Sequence, residues 1–327
     1  MNQLDADSKC DNHIRLECLP EYENTNILSS NATLPNVNDH RIQHIVVAGG
    51  GTMGLAYYGI LSESSLQNVW CIDDVKTIYG TSIGAIISTM LCLRYDWNTL
   101  DEYLIKRPWE KVFHYDLHTL FSCVQNNGIF NRTVTEQMLK PLLLGKDISL
   151  DVTMAEFFQH TGIELHIMTT RVSTFELVDI SAKTHPNWSL IDAVHASCAI
   201  PILFKPIEVE GELYCDGGFC VNCPILQCIE NGAKCENILG IQTTPIENEE
   251  VDTTTFSLFD YVVHLSNKML NNLCTNQPYE TAHLFSVLYD MRSLTNIADV
   301  AEKRNIRETL IQSGRNIFRS QYVSKTT

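Results

Sequence analysis

A serine flanked by glycines is the residue of this chain best placed to act as a nucleophile. Ser82 lies between Gly80 and Gly84 in the pentapeptide Gly-Thr-Ser-Ile-Gly. A run typical of a strand precedes it at 75–79, and an apolar run typical of a helix follows at 85–91. A sharp strand-to-helix turn exposes the serine hydroxyl, and the glycines avoid clashes across the turn. The pattern therefore indicates a serine nucleophile for acyl transfer.

A second glycine-rich turn lies earlier in the chain, after a short apolar run at 42–48 that predicts a buried strand. The turn reads Gly-Gly-Gly-Thr-Met-Gly and contains Gly49, Gly50, Gly51 and Gly54. Consecutive glycines let main-chain N–H groups converge, and the N-terminus of the following helix adds positive potential. Such a turn can hold either a phosphate or the oxyanion of an acyl-transfer intermediate.

The same glycines also satisfy the Gly-x-Gly-x-x-Gly fingerprint of dinucleotide-binding proteins. Asp73 and Asp74 lie where the ribose-binding acid of that fingerprint is expected. A nucleotide-binding oxidoreductase is therefore an alternative interpretation, and a non-catalytic binding protein on the same fold is another. The oxidoreductase does not account for the serine-bearing turn after the next strand, whereas an acyl-transfer site uses both turns.

An aspartate followed by two glycines is the candidate partner of the serine. Asp216, Gly217 and Gly218 follow a short strand-like run. Small residues after the acid let its carboxylate approach another main-chain turn closely. A histidine partner is the alternative, because His264 and His283 lie late enough in the chain for the order serine, acid, histidine.

In order and spacing, these three motifs resemble the patatin-like phospholipase family over residues 42–243. The segment 196–204 is also similar to that family's Ala-Ser-x-x-x-Pro-x-x-Phe pattern. The resemblance implies that Ser82 attacks a lipid ester and that Asp216 is its base, in a dyad without histidine. It also implies an oxyanion hole built from the loop of Gly49, Gly50, Gly51 and Gly54, with no cofactor and no metal.

One position departs from the family pattern, which commonly has arginine in the glycine-rich loop. This chain has Met53 there. Without that cation a phosphate contact is weaker, so the sequence favours an acyl ester and leaves the lipid head group open. We expect a phospholipase A, a lysophospholipase or an acylglycerol lipase, and the sequence does not choose among them or indicate the oligomeric state.

The hydrophobic pattern alternates between strands and helices around these motifs. Alternation of this kind predicts the α/β class, as a three-layer α/β/α sandwich with a mostly parallel central sheet. We expect a run at 238–243 to be the last central strand, followed by helices at 256–273 and 296–318. The predicted organisation is a polar, flexible leader at 1–40, a catalytic domain at 41–246 and a helical C-terminal extension at 247–327 packed on the same domain.

Composition restricts the partners and the compartment. The chain has 327 residues and a net charge of −16, so both nucleic acid and anionic membranes repel it. We therefore expect no nucleic-acid partner, and membrane contact that is local and apolar. Neither a bilayer-spanning apolar run nor a signal peptide is evident. The expected location is intracellular, in the cytoplasm, with peripheral contact to membranes.

Cysteines are concentrated in one segment, 215–235, which holds five of the twelve. Only Cys220 and Cys223 have the Cys-x-x-Cys spacing of a zinc site, and no second matching pair lies nearby. Free thiols in a reducing compartment therefore account for this cluster better than zinc does.

Overall fold

A computed structural model describes most of the chain. The described residues are 41–114, 125, 127–245, 261, 264–265, 268, 283–289 and 297–326. The predicted leader at 1–40 and most of the helix predicted at 256–273 lie outside them.

The described residues alternate between strands and helices, as the sequence predicts. In chain order they are β1 (His44–Val47), α1 (Gly54–Leu66), β2 (Thr77–Thr81), α2 (Ile83–Cys92), α3 (Trp97–Lys106), β3 (Gly128–Phe130), α4 (Arg132–Leu144), α5 (Met154–Thr161), β4 (Glu164–Arg171), β5 (Glu176–Ile180), α6 (Leu190–Cys198), β6 (Ile202–Phe204), β7 (Ile207–Val209), β8 (Glu212–Asp216), α7 (Ile225–Glu230), β9 (Ile238–Pro245), β10 (His283–Tyr289), α8 (Ile297–Glu302) and α9 (Arg304–Thr326).

A mostly parallel sheet forms the centre of the molecule. Its strand order is β10-β9-β1-β2-β4-β8-β7, and β5 also pairs with β4. The five consecutive strands β10, β9, β1, β2 and β4 are parallel to one another, whereas β5 and β8 run antiparallel to β4. Strands β3 and β6 form a separate parallel pair.

Both faces of this sheet are buried. Successive residues of a strand point to opposite faces, so consecutive buried residues show that both faces are covered. In β1, Ile45 and Val47 join the larger apolar cluster with α1 and α2, whereas Val46 joins the smaller one with Ile225 and Cys228 of α7. Helices therefore cover the sheet on both sides. The predicted α/β class and layered architecture are confirmed.

The C-terminal part contains a strand that the sequence analysis did not predict. Strand β10 pairs in parallel with β9 along its full length, so β9 is not the last strand of the sheet. Phe285 and Val287 are each 2% exposed, and they alternate with more exposed residues. This period of two was the available signal, but the segment stands between two stretches that were both expected to be helical.

Helix α9 packs along α1 at very short range. A Cβ atom on Gly59 would overlap Ile311 O, and one on Gly314 would overlap Ala56 O, so two glycines let the helices approach closely. At the far end of this contact, Arg319 donates to the buried carboxylate of Glu63 at 2.9 and 3.0 Å. None of the helices in the described ranges has both the length and the apolar character that crossing a bilayer requires.

Candidate active site

Ser82 occupies a strained turn between β2 and α2. Its φ is 54° and its ψ is −124°, a conformation that L-residues rarely adopt. A Cβ on Gly84 would overlap Val47 O, and one on Gly80 would lie 2.6 Å from Gly84 O. Both flanking glycines are therefore sterically required. The serine side chain is held at the carboxyl end of the sheet and is 7% exposed.

Ser197 braces this turn from α6. Its hydroxyl accepts a hydrogen bond from the Ser82 N–H at 2.8 Å and donates one to Met168 O at 2.6 Å. One side chain thus connects the serine turn, α6 and β4. Sequence reasoning assigned Ser197 no role, although it lies in the Ala-Ser-x-x-x-Pro-x-x-Phe segment that contributed to the family resemblance.

Strand register brings Asp216 beside Ser82. Thr81, the residue before the serine, pairs with Met168 of β4, and Asp216 pairs with the next residue, Thr169. Strand β8 therefore continues along the same edge of β4 at the point where β2 ends, in the opposite direction. This arrangement places the serine turn and the aspartate turn next to each other, although the two residues are far apart in sequence.

The carboxylate of Asp216 is 1% exposed and only partly hydrogen-bonded. Its Oδ1 accepts a bond from the Gly218 N–H at 2.7 Å, whereas Oδ2 is buried and has no partner within the described residues. Burial raises the pKa of Asp216 from 3.8 to about 7, an effect that the nearby Ser82 hydroxyl and the Gly218 N–H partly offset. An unsatisfied buried oxygen beside a serine is the arrangement expected of a general base, whose hydrogen bond often tightens only with substrate.

The glycine-rich loop lies against the nucleophile. A Cβ on Gly49 would lie 3.3 Å from the Cβ of Ser82 and would overlap Asn222 Oδ1. Gly49 also donates its N–H to Asn222 O at 3.0 Å and accepts a bond from the Asn222 amide at 3.3 Å. Asn222 therefore holds the loop in place, a role that the sequence analysis did not assign.

Hydrogen bonding divides the four candidate oxyanion glycines into two groups. The N–H of Gly49 donates to Asn222 O, and the N–H of Gly54 donates to Gly51 O. In the described part of the chain, the N–H groups of Gly50 and Gly51 have no acceptor. Gly51 has a φ of 52°, which a residue with a side chain would adopt only with strain. Gly50 and Gly51 are therefore the available donors of this loop.

An apolar cavity of about 160 Å³ opens beside Ser82. Its lining includes Gly51, Ser82 and one face of α2, formed by Ile83, Ile86, Ile87 and Met90. These four residues fit the helical core pattern that the sequence shows, and the structure adds that they face a cavity. Met53, in contrast, is 6% exposed and packs within the core.

His283, a candidate partner from the sequence, lies away from the serine turn. It begins β10, three strands from β2 and at the amino end of the parallel strands. His195 is buried between Thr135 Oγ1, at 3.0 Å from its Nδ1, and Lys205 O, at 2.8 Å from its Nε2. The carboxylate of Asp216 is thus the titratable group that the strand register places at Ser82.

The cysteine cluster lies close to this site without forming a metal site. Cys228 is buried, Cys215 and Cys220 are half-buried, and Cys235 is exposed. Burial raises the pKa of Cys215 and of Cys228 to about 12, which keeps both thiols protonated. Across the described ranges, no group of three or more His, Cys, Asp or Glu side chains is arranged to hold a metal.

Comparisons with known proteins identify relatives of this chain. Residues 45–229 match the family model described as patatin-like phospholipase. The chain is 25% identical over 293 residues to an uncharacterized protein of Acanthamoeba polyphaga mimivirus, covering 86% of this chain and 96% of that protein. It is 26% identical over 281 residues to a probable lipid hydrolase of Invertebrate iridescent virus 6, covering 82% and 91%. A triacylglycerol lipase of Schizosaccharomyces pombe is 26% identical over 206 residues, covering 58% of this chain and 40% of the lipase.

Proposed function

Because the chain belongs to the patatin-like phospholipase family and is a hydrolase of lipid esters, we propose that it cleaves them through an acyl-enzyme on Ser82, with Asp216 as the base. The observation that carries this proposal is the pairing of Thr81 and Asp216 with the consecutive residues Met168 and Thr169. That register puts a buried carboxylate beside a serine held in a strained turn.

The reaction begins when Ser82 Oγ attacks the ester carbonyl carbon and its proton passes to Asp216 Oδ2. The carbonyl oxygen becomes an oxyanion, which the N–H groups of Gly50 and Gly51 stabilise. The carbon–oxygen bond to the alcohol then breaks, and the alcohol leaves with the proton from Asp216. Water attacks the acyl-enzyme with Asp216 again as base, which releases the fatty acid and restores Ser82.

The oxyanion donors supply a large part of the rate in this scheme. Each well-placed donor contributes on the order of 3 kcal/mol, and general-base help adds about 10²–10⁴-fold. The raised pKa of Asp216 improves its match to the serine hydroxyl, since a carboxylate of ordinary pKa is a weak base. The same burial keeps the carboxyl group protonated below about pH 7.

The acyl chain is the part of the substrate that the site recognises most clearly. The cavity next to Ser82 is apolar, and Met53 supplies no cation to the glycine loop. The proposal therefore covers esters of phospholipids, lysophospholipids and acylglycerols. The family match supports a lipid hydrolase over the alternative of a nucleotide-binding oxidoreductase.

A fluorophosphonate probe tests the nucleophile directly. The wild-type protein should be labelled covalently at Ser82, and the Ser82→Ala variant should not be labelled. The Ser173→Ala variant is the matched control, because Ser173 is exposed and its hydroxyl donates to Glu212 on the surface. Equal labelling of wild type and Ser82→Ala, or no labelling of folded wild type, would overturn the proposal. The second result would also support a non-catalytic binding protein on this fold.

A further inference from the structure

Three exposed apolar side chains lie together at the tip of the hairpin that joins β4 to β5. Val172 and Phe175 are the first and last residues of its turn, and Leu213 lies on the neighbouring strand β8. They are 42%, 56% and 37% exposed. We call this group the apolar tip. A single exposed apolar side chain needs no explanation, so the grouping of these three and their position in the fold are the informative features.

Main-chain pairing brings the three residues side by side. Arg171, the residue before the turn, pairs with β5 on one edge of β4 and with β8 on the other. One residue further, the N–H of Val172 donates to Leu213 O at 2.8 Å. Val172 therefore lies between Leu213 on β8 and the end of the turn that carries Phe175.

The main-chain conformation of Phe175 is unusual for a bulky residue. Its φ is 54°. A turn residue with positive φ is ordinarily glycine or asparagine, because a large side chain is strained there. Phe175 thus combines main-chain strain with exposed apolar surface. Strain of this kind is characteristic of functional positions, so the conformation points to a contact made outside the fold.

The apolar tip projects from the end of the sheet that carries the proposed catalytic residues. Strand β4 is parallel to β2, and its Met168 pairs with Thr81, the last residue before the serine turn. Val172 lies four residues further along the chain, about 13 Å beyond that level at about 3.3 Å per residue. On β8, Leu213 lies three residues before Asp216. Both strands therefore lead from the tip to the site.

The charges around the tip favour a neutral partner surface. Glu176 and Glu212 flank the tip, and Arg171 lies 3.5 Å from the Glu176 carboxylate. The Ser173 hydroxyl donates to Glu212 at 2.5 Å. One arginine against two glutamates gives no attraction to anionic lipids, and the net charge of the chain is −16. An anionic surface therefore repels the protein, whereas a zwitterionic surface does not.

We propose that the apolar tip docks the protein on a zwitterionic phospholipid surface, with Phe175 as the side chain that enters it. Apolar groups of peripheral proteins penetrate about 5–10 Å into the boundary between head groups and acyl chains. Insertion to this depth brings the end of the sheet that carries Ser82 towards the lipid esters. The inference rests on the proposed function only in taking Ser82 as the reacting residue, because lipid contact is measured without catalysis.

Co-sedimentation with phosphatidylcholine vesicles tests this docking surface. The full chain with Ser82→Ala is the parent protein, so that the vesicles are not hydrolysed. Adding Phe175→Asn should lower its partition coefficient about tenfold, since burial of one large apolar side chain contributes that order. Adding Val172→Thr, which replaces one methyl group with a hydroxyl, should lower it about fourfold.

Leu66→Asn, added to the same parent, is the matched control. Leu66 is 59% exposed and is the last residue of α1, which leads from the glycine-rich loop back towards the start of β2. This variant should bind vesicles as the parent does. Equal binding by Phe175→Asn and Leu66→Asn would overturn the inference.

Urea unfolding separates docking from a structural role of Phe175. Asparagine tolerates a positive φ, so Phe175→Asn should unfold at the same urea concentration as the parent or at a higher one. If the variant unfolds at a lower concentration, Phe175 stabilises the fold and the inference is wrong. Val172→Thr then gives no support to docking unless its own stability is unchanged.

Lipid composition and assembly state test the choice of partner. Replacing part of the phosphatidylcholine with phosphatidylserine should weaken binding of the parent, and stronger binding would contradict a neutral surface. Analytical ultracentrifugation tests the other occupant, a second copy of the chain. If it shows a dimer that Phe175→Asn dissociates while vesicle binding stays the same, the inference is wrong.

Failure of this inference is distinguishable from failure of the proposed function. If Phe175→Asn leaves vesicle binding unchanged but fluorophosphonate labelling depends on Ser82, the docking surface is wrong and the proposed function stands. If vesicle binding falls as expected but folded wild type is not labelled, the proposed function fails and the lipid contact stands.

Discussion

Replacing Asp216 with asparagine should remove hydrolysis and, at neutral and higher pH, stabilise the fold. The carboxylate is 1% exposed, and burial raises its pKa from 3.8 to about 7. Between those two values the folded protein holds a proton that the unfolded chain has released. The free energy of unfolding of the wild type therefore decreases as pH rises from about 4 to about 7 and carries the full loss above that range. Asn Oδ1 can still accept the hydrogen bond from the Gly218 N–H.

The size of this effect follows from the pKa difference. At 1.36 kcal/mol per pKa unit, the rise from 3.8 to about 7 amounts to about 4 kcal/mol at pH 8 and above. At pH 5 less than half of that loss has developed. The stability advantage of Asp216→Asn over the wild type should therefore grow by about 2 to 3 kcal/mol between pH 5 and pH 8.

Urea unfolding of both proteins at pH 5, 6, 7 and 8 measures this difference, since other titrating groups cancel in the comparison. Asp151→Asn is the control, because it makes the same substitution at an exposed carboxylate. A stability difference between Asp216→Asn and the wild type that stays constant from pH 5 to pH 8 would refute the reasoning. Hydrolysis by the same variant should fall at least about 100-fold, the lower range for loss of a general base.

Two further predictions follow from the same site. The pH dependence of kcat/KM should show an ascending limb centred near pH 7 as the carboxyl group of Asp216 ionises, and a profile already level between pH 5 and pH 7 would contradict that role. Ser197→Ala should destabilise the protein by about 2 kcal/mol in urea unfolding, because the Ser82 N–H and Met168 O lose a buried partner, and a change below about 0.5 kcal/mol would show that water replaces the hydroxyl.

The local features of the site were accessible from the sequence. The turn at Ser82 needs glycines on both sides because main-chain atoms lie where their Cβ atoms would be, and this requirement is visible within five residues. The glycine loop that starts at Gly49 was visible as a run of glycines, although the atoms that exclude a Cβ there belong to the side chains of Asn222, Tyr57 and Ile83. The alternation of apolar runs predicted the α/β class for a similar reason. Each run indicates a strand or a helix through the pattern of its own residues.

Features that depend on distant pairing were not accessible in the same way. The bond from the Gly49 N–H to Asn222 O selects Gly50 and Gly51 as the available donors, and nothing near Gly49 in sequence indicates it. Strand β10 was missed because its alternating pattern is short and belongs to the edge of the sheet. Its period of two was visible in the sequence, but only the pairing with β9 shows that the segment belongs to the sheet.

The sequence by itself singled out the residues that we propose carry the chemistry, namely Ser82, Asp216 and the glycines that make their turns possible. Only the tertiary structure decided that Asp216 lies beside Ser82, because strand register depends on contacts between residues far apart in the chain. The tertiary structure also decided that α8, from the C-terminal part, lines the cavity beside Ser82. Residue types and local turns depend on a few neighbouring positions in the sequence. In contrast, packing of remote segments determines the distance between two turns, the burial that shifts a pKa and the lining of a pocket.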